Sequence, residues 1–196
     1  MASAEDSTKP DFWNTRYTAG RTPWDLGSAP SALRSFLAGT KPGRVLIPGC
    51  GSGYEVRAFH DAGFEVTAID FSAAAVERAA RILGPLGRCV ISGDFFTHDF
   101  AEQKFDLIYE RTFLCSLPPA RWPAYAKRMA ELLQKGKVLA GIFLYGHEYD
   151  PPPYPLTEAQ AAQLLGHDFE LIRTEPVSDS LPLFKGMERW QEWRRT

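Results

Sequence analysis

Between Gly43 and Tyr145 short apolar runs alternate with amphipathic stretches, and that rhythm leaves the chain few folds to adopt. Arg44 to Ile47, Phe64 to Ile69, Arg88 to Ser92 and Phe105 to Glu110 read as short strands. Tyr54 to Ala62, Ala73 to Leu83 and Pro119 to Leu133 read as helices between them, the second with Ser72 as its N-cap. Val138 to Tyr145 is uninterrupted by charge, as a strand buried on both faces should be. Strands that alternate with helices predict a doubly wound, mostly parallel α/β sheet with right-handed crossovers. After Thr157, which caps a helix through Leu165, Phe169 to Val177 and Arg189 to Trp193 complete a seven-stranded Rossmann-like sheet.

The flanks obey other rules. Residues 11 to 18 form a short helix, a loop leads to Pro30, and Ser31 to Leu37 is helical up to Gly39. Asp150 to Pro155 is a stiff loop, because each proline ring fixes its backbone and removes a donor. No repeat or low-complexity tract breaks the chain, so residues 1–196 are read as one domain, with 1–30 as an N-terminal segment.

Charge and cysteine content narrow the function. A formal net charge of −2 leaves no excess of Lys or Arg to displace counterions from a nucleic acid, so none is expected as partner. No apolar run approaches the roughly 18 residues that span a bilayer, and the opening is polar, so neither membrane nor leader is expected. Cys50, Cys89 and Cys115 form no paired framework and suit a reducing cytoplasm. No spacing of His, Asp or Cys suggests metal ligands. No sustained apolar seam argues for a dimer, so a monomer is expected.

The sharpest local signal is Val45 to Gly53, a strand entering a glycine-rich turn and then a helix. Glycine permits positive φ and close approach of a ligand to the backbone. Asp70 ends the next strand about 20 residues after Gly49, where a carboxylate accepts ribose hydroxyls; otherwise it only caps the helix that follows. Asp94-Phe95-Phe96 closes the third strand, with an acid for an adenine amino group and an aromatic to cover the ring. A dinucleotide fingerprint requires a glycine where Tyr54 stands, and no Gly-Lys-Ser or Gly-Lys-Thr marks a P-loop. Gly-x-Gly-x-Gly with two downstream acids better suits S-adenosylmethionine, which has a ribose and adenine but no phosphate.

With these residues in hand, the chain resembles the thiopurine S-methyltransferase family of class I methyltransferases, and within it the halide, thiocyanate and thiol methyltransferases. The resemblance runs from about Phe12 to Trp193. It rests on Thr22-Pro23-Trp24-Asp25, the Val45 to Gly51 segment, Asp94-Phe95-Phe96, Phe105-Asp106-Leu107-Ile108, Pro152-Pro153-Tyr154 and Lys185-Gly186. Class I enzymes in general carry an acid two residues before the first glycine. Ile47 followed by Pro48 stands here, as in this branch.

The resemblance implies a lid in which Trp13, Tyr17 and Trp24 close over the cofactor. It sets Gly49 beside the methionyl portion, Asp70 at the ribose, and Asp94 with Phe95 at the adenine; Gly51 and Phe71 complete the cofactor set. Arg111 falls at a position that is Arg in the thiopurine branch and Tyr in the plant halide branch. It is assigned to both cofactor and an anionic acceptor, and the mixed match leaves the acceptor open. Tyr145, His147 and Tyr154 are the other acceptor-site candidates; for Tyr154 the alternative is packing against the proline loop.

The implied activity is methyl transfer to a small soft nucleophile: a thiol, a thiopurine-like compound, thiocyanate or a halide. Such anions need no obligatory base. A small-molecule O- or N-methyltransferase is the alternative enzyme, and a non-catalytic sensor of the cofactor the alternative of another class. His60, His98 and His167 read as surface residues, Cys50 as a packing residue, and Trp122, Trp190 and Trp193 as core.

Overall fold

The computed structural model describes residues 6–101, 103–146, 151–184 and 186–196. Two short helices, α1 (Pro10–Thr18) and α2 (Ser31–Gly39), precede the sheet. Then come β1 (Arg44–Pro48), α3 (Tyr54–Asp61), β2 (Glu65–Asp70), α4 (Ala73–Leu83), β3 (Val90–Ser92), β4 (Phe105–Arg111) and α5 (Trp122–Leu132). The chain finishes with β5 (Leu133–Leu144), α6 (Glu158–Leu165), β6 (Phe169–Pro176) and β7 (Glu188–Arg195).

Among the described residues these strands form one seven-stranded sheet in the order β3-β2-β1-β4-β5-β7-β6. The first five in chain order run parallel, while β7 lies antiparallel between β5 and β6. The doubly wound, mostly parallel sheet is therefore as the sequence predicts. Two apolar layers cover its faces. Tyr125 and Met129 of α5, Leu165 of α6 and Trp193 pack on one. Leu33 of α2, Phe59 of α3, Leu83 of α4 and Trp190 pack on the other. Each such side chain, fully buried, adds about 1.5–3 kcal/mol. Trp122, Trp190 and Trp193 are all buried.

Local chemistry sets the element ends. The Ser72 hydroxyl accepts the Ala75 N–H at 3.2 Å and caps α4. Thr157 and Gln160 form a reciprocal capping box at α6. Several boundaries differ from the sequence reading: β5 starts at Leu133, not Val138, and β7 runs from Glu188 to Arg195. Residues from Gly84 to Cys89, with Pro85 near the start, form a 3₁₀ turn, so β3 begins at Val90 and ends at Ser92, before Asp94. The helix expected from Pro119 opens with a 3₁₀ turn and becomes α-helical at Trp122, where Pro123 sits among the first positions that need no donor.

Candidate active site

Chain order reverses direction across the sheet at β1, which pairs with β2 on one side and β4 on the other. Loops leaving the carboxyl ends of such neighbours diverge and open a crevice. A cavity of about 740 Å³ lies there. Its floor is made by Gly49 after β1, Asp70 and Phe71 at β2, Asp94 to Phe96 after β3, and Thr112 and Phe113 after β4.

The glycine turn is required by its surroundings. Gly49 and Gly51 have φ of +58° and +53°, a region that L side chains rarely adopt. A Cβ on Gly49 would stand 2.3 Å from Cδ2 of Phe113, and one on Gly51 would stand 2.5 Å from the Tyr17 hydroxyl.

Asp70 is buried, yet both its oxygens are engaged: Oδ2 accepts the Gly51 N–H and Oδ1 the Ser72 N–H, each at 2.9 Å. Burial pushes the carboxyl up, and the N–H groups of Ser72, Gly51 and Phe71 oppose that rise. A carboxylate can accept about four hydrogen bonds, so acceptor capacity remains on Asp70, which lines the cavity. Asp94 Oδ1 accepts the Phe96 N–H at 2.8 Å, which fixes the acid in the loop beyond β3. Phe95 is buried beside it with its ring edge-on to Phe113 at 5.4 Å. A diol acceptor next to a carboxylate-and-aromatic slot fits the ribose and adenine of S-adenosylmethionine.

The segment from Trp13 to Trp24 borders the same cavity. Trp13, Tyr17 and Trp24 all line the cavity. Trp24 meets Trp13 and Tyr17 edge-on, at 5.4 and 6.1 Å between centroids. Burial holds the Tyr17 hydroxyl well above its ordinary value, so it stays neutral.

Three tethers fasten the segment. Asn14 Oδ1 accepts the Ser72 hydroxyl at 2.8 Å and the Ala74 N–H at 3.2 Å. Asp25 Oδ2 accepts the Ser52 hydroxyl at 2.7 Å and pairs with Arg78 at 3.0 Å. Arg111 donates to the Trp24 carbonyl at 3.2 Å.

The acceptor-site candidates are placed differently from the cofactor set. Arg111 is largely buried, 3.9 Å from Glu188, and lines an adjoining cavity of about 40 Å³ with Glu55 and Tyr109. Neither it nor Gly51, which lines the same small cavity, is among the residues lining the large one. The Tyr145 hydroxyl donates to Gln191 at 2.9 Å, which draws it toward β7. Tyr154 donates its N–H to the Cys115 carbonyl at 2.7 Å and packs against the apolar core cluster that includes Trp122 and Tyr125. Neither tyrosine lines the large cavity. His147 lies outside the described residues.

Pro152, Pro153, Leu183 and Phe184 do line it, as do Cys115, Ser116 and Leu117 of the turn after β4. Sequence reasoning passed over that turn, although its position after a strand at the ligand edge was the available signal. Cys50 is buried and its thiol is pushed well up by desolvation, which suits packing. Among the described residues no group of three His, Cys, Asp or Glu is arranged to hold a metal ion. No described helix is long and apolar enough to cross a membrane.

Strand order, glycine turn and paired acids define a class I S-adenosylmethionine-dependent methyltransferase. A solved structure of the same fold is the 1,6-didemethyltoxoflavin-N1-methyltransferase of Burkholderia thailandensis with bound S-adenosylhomocysteine: TM-score 0.77, 20% identity, covering 95% of this chain and 87% of that one. The chain belongs to the thiopurine S-methyltransferase family, whose model matches residues 8–194. It is 34% identical to a probable thiol methyltransferase 2 of Arabidopsis thaliana, over 94% of this chain and 84% of the relative. It is 30% identical to thiocyanate methyltransferase 1 of Brassica oleracea, over 93% and 84%.

Proposed function

We propose that this methyltransferase acts on a small, soft nucleophile: a thiol, a thiopurine-like sulfur, thiocyanate or a halide. The observation that carries the reading is the apolar part of the cavity lining. Trp13, Trp24, Pro152, Pro153, Leu183 and Phe184 present apolar surface there. The names of the two plant relatives point to the same acceptor class.

When bound, S-adenosylmethionine supplies a methyl group already activated on a sulfonium. Asp70 would hold its ribose, Asp94 and Phe95 its adenine, and the Gly49 backbone its methionyl end. Trp13, Tyr17 and Trp24 act as a lid that excludes water, and their aromatic faces tolerate a neighbouring cation. An apolar wall strips water from an anionic acceptor and so raises its reactivity. Arg111 serves this site by holding the Trp24 main chain. The free cysteines and small net charge support a cytoplasmic enzyme of small molecules rather than nucleic acid. We assign it as a monomer, in one domain.

Headspace analysis of reactions containing S-adenosylmethionine and iodide, thiocyanate or hydrosulfide tests the acceptor class. Methyl iodide, methyl thiocyanate or methanethiol is expected. Turnover of a hydroxyl or amine compound with none of these volatiles would overturn it.

A further inference from the structure

Glu110, the penultimate residue of β4, is 1% exposed, a carboxylate enclosed where the sheet changes direction. Its Oε2 accepts two backbone donors, the N–H of Phe113 at 3.1 Å and of Leu114 at 3.0 Å. Both belong to the turn after β4, in which Thr112 has φ of +59°. A β-branched residue is strained there, and such strain persists only where the surroundings over-determine it. The turn reaches the cavity through Phe113, Cys115, Ser116 and Leu117. Phe113 touches the Gly49 turn, meets the edge of Phe95 and lies 6.1 Å from Tyr125.

We propose that Glu110 is a positioning residue whose carboxylate clamps residues 112–117, seating Phe113 against the glycine turn and adenine slot, so that its charge controls cofactor affinity. Hydrogen bonds to an ionised acceptor are roughly twice as strong as those to a neutral one. Burial pushes the Glu110 carboxyl up to about 7, opposed by the N–H groups of Leu114 and Phe113 and by the Arg111 guanidinium. Against an open turn in which Glu110 stays buried but lacks these two donors, ionisation favours the closed turn, so the clamp tightens as pH rises through neutrality.

Other groups facing Glu110 come from every neighbouring element. They are Tyr109 and Arg111 of β4, Cys115 of the turn, Tyr125 of α5 and Tyr145 after β5. Burial holds Tyr109, Cys115, Tyr125 and Tyr145 above their ordinary values, so all four stay neutral near pH 7. Glu188 of β7 shares the neighbours Tyr109 and Cys115 with Glu110.

The inference rests on the cofactor assignment and not on the acceptor. Calorimetric titration with S-adenosylhomocysteine from about pH 6 to about pH 8.5 compares the wild type with E110Q, which keeps an acceptor oxygen but no charge. Wild-type affinity should rise about tenfold with pH, while E110Q stays flat at the weaker level. A wild-type slope retained in E110Q overturns the clamp.

Hydrogen exchange at the Phe113 and Leu114 amides, corrected for intrinsic rates, reads the clamp without ligand. Protection in the wild type should be greater near pH 8 than near pH 6 and should fall in E110Q. Should E110Q not fold, equal wild-type protection at the two pH values overturns the clamp by itself. Absence of binding to the wild type at every pH would instead overturn the cofactor assignment.

Discussion

The Ser72 hydroxyl donates to Asn14 Oδ1 at 2.8 Å, so α1 completes the cap of the helix that follows Asp70. Ser72 also donates its N–H to Asp70, which puts Asn14 two bonds from that carboxylate. Asn14→Ala should cost about 1 kcal/mol of stability, as loss of a cap does, and should weaken S-adenosylhomocysteine binding severalfold. Thermal melts and calorimetry check both. Unchanged affinity in a less stable protein would restrict Asn14 to a stabilising role.

Asp70→Asn is nearly isosteric but turns an acceptor into a donor. One of the Gly51 and Ser72 N–H groups then faces an amide N–H₂, and acceptor capacity toward a ribose is halved. Cofactor affinity should fall about tenfold to a hundredfold, the worth of one or two hydrogen bonds to a charged group. Affinity within a factor of two of wild type would show that ribose is held elsewhere.

Gly49→Ala adds a Cβ 2.3 Å from a ring carbon of Phe113 at a positive φ. Strain of about 1–2 kcal/mol joins the displacement of Phe113, so both stability and cofactor binding should suffer. Gly39→Ala is the control, since nothing lies within 4 Å of its Cβ position. Urea unfolding of the two variants should separate clearly, and equal midpoints would mean that Phe113 moves without penalty.

The Glu110 carboxyl has a second, opposite consequence for stability. Its value of about 7 in the folded protein exceeds the ordinary 4.5, so folding favours the protonated form. That contribution is fully present below about pH 4.5 and is lost as pH rises through about 7. E110Q never incurs the loss and should be more stable than wild type by roughly 3 kcal/mol near pH 8, the gap closing toward about pH 4.5. Denaturant midpoints at both pH values provide the check. A gap that does not change with pH would mean that burial of the charge carries no such cost.

Much of this was legible because it is local. The charge-free Val138 to Tyr145 run, the spacing from Gly49 to Asp70 and the Ser72 cap each lie within one element or its neighbour. Asn14, Asp25 and Glu110 were not legible as working residues. An amide or acid in a sequence names a capacity to bond, and for Asn14 and Asp25 the fold alone supplies the partners, Ser72 and Arg78, from distant segments. Glu110 bonds only three and four residues away, but nothing local shows that it is buried. Tyr145 was misplaced for a related reason: a strand end fixes the backbone near a site, whereas the side chain follows its hydrogen bond to Gln191.

Asp25 gives salt a handle on residence time. On the proposed lid assignment, a departing cofactor product passes a segment that Asp25 pins to Ser52 and to Arg78, and the Arg78 pair is partly open to solvent. Mobile ions screen such a pair far more than they weaken the buried contacts below it. Raising ionic strength should therefore shorten the dwell of product on the enzyme. Where release limits turnover, a salt that weakens binding would speed the steady state while leaving the first turnover untouched.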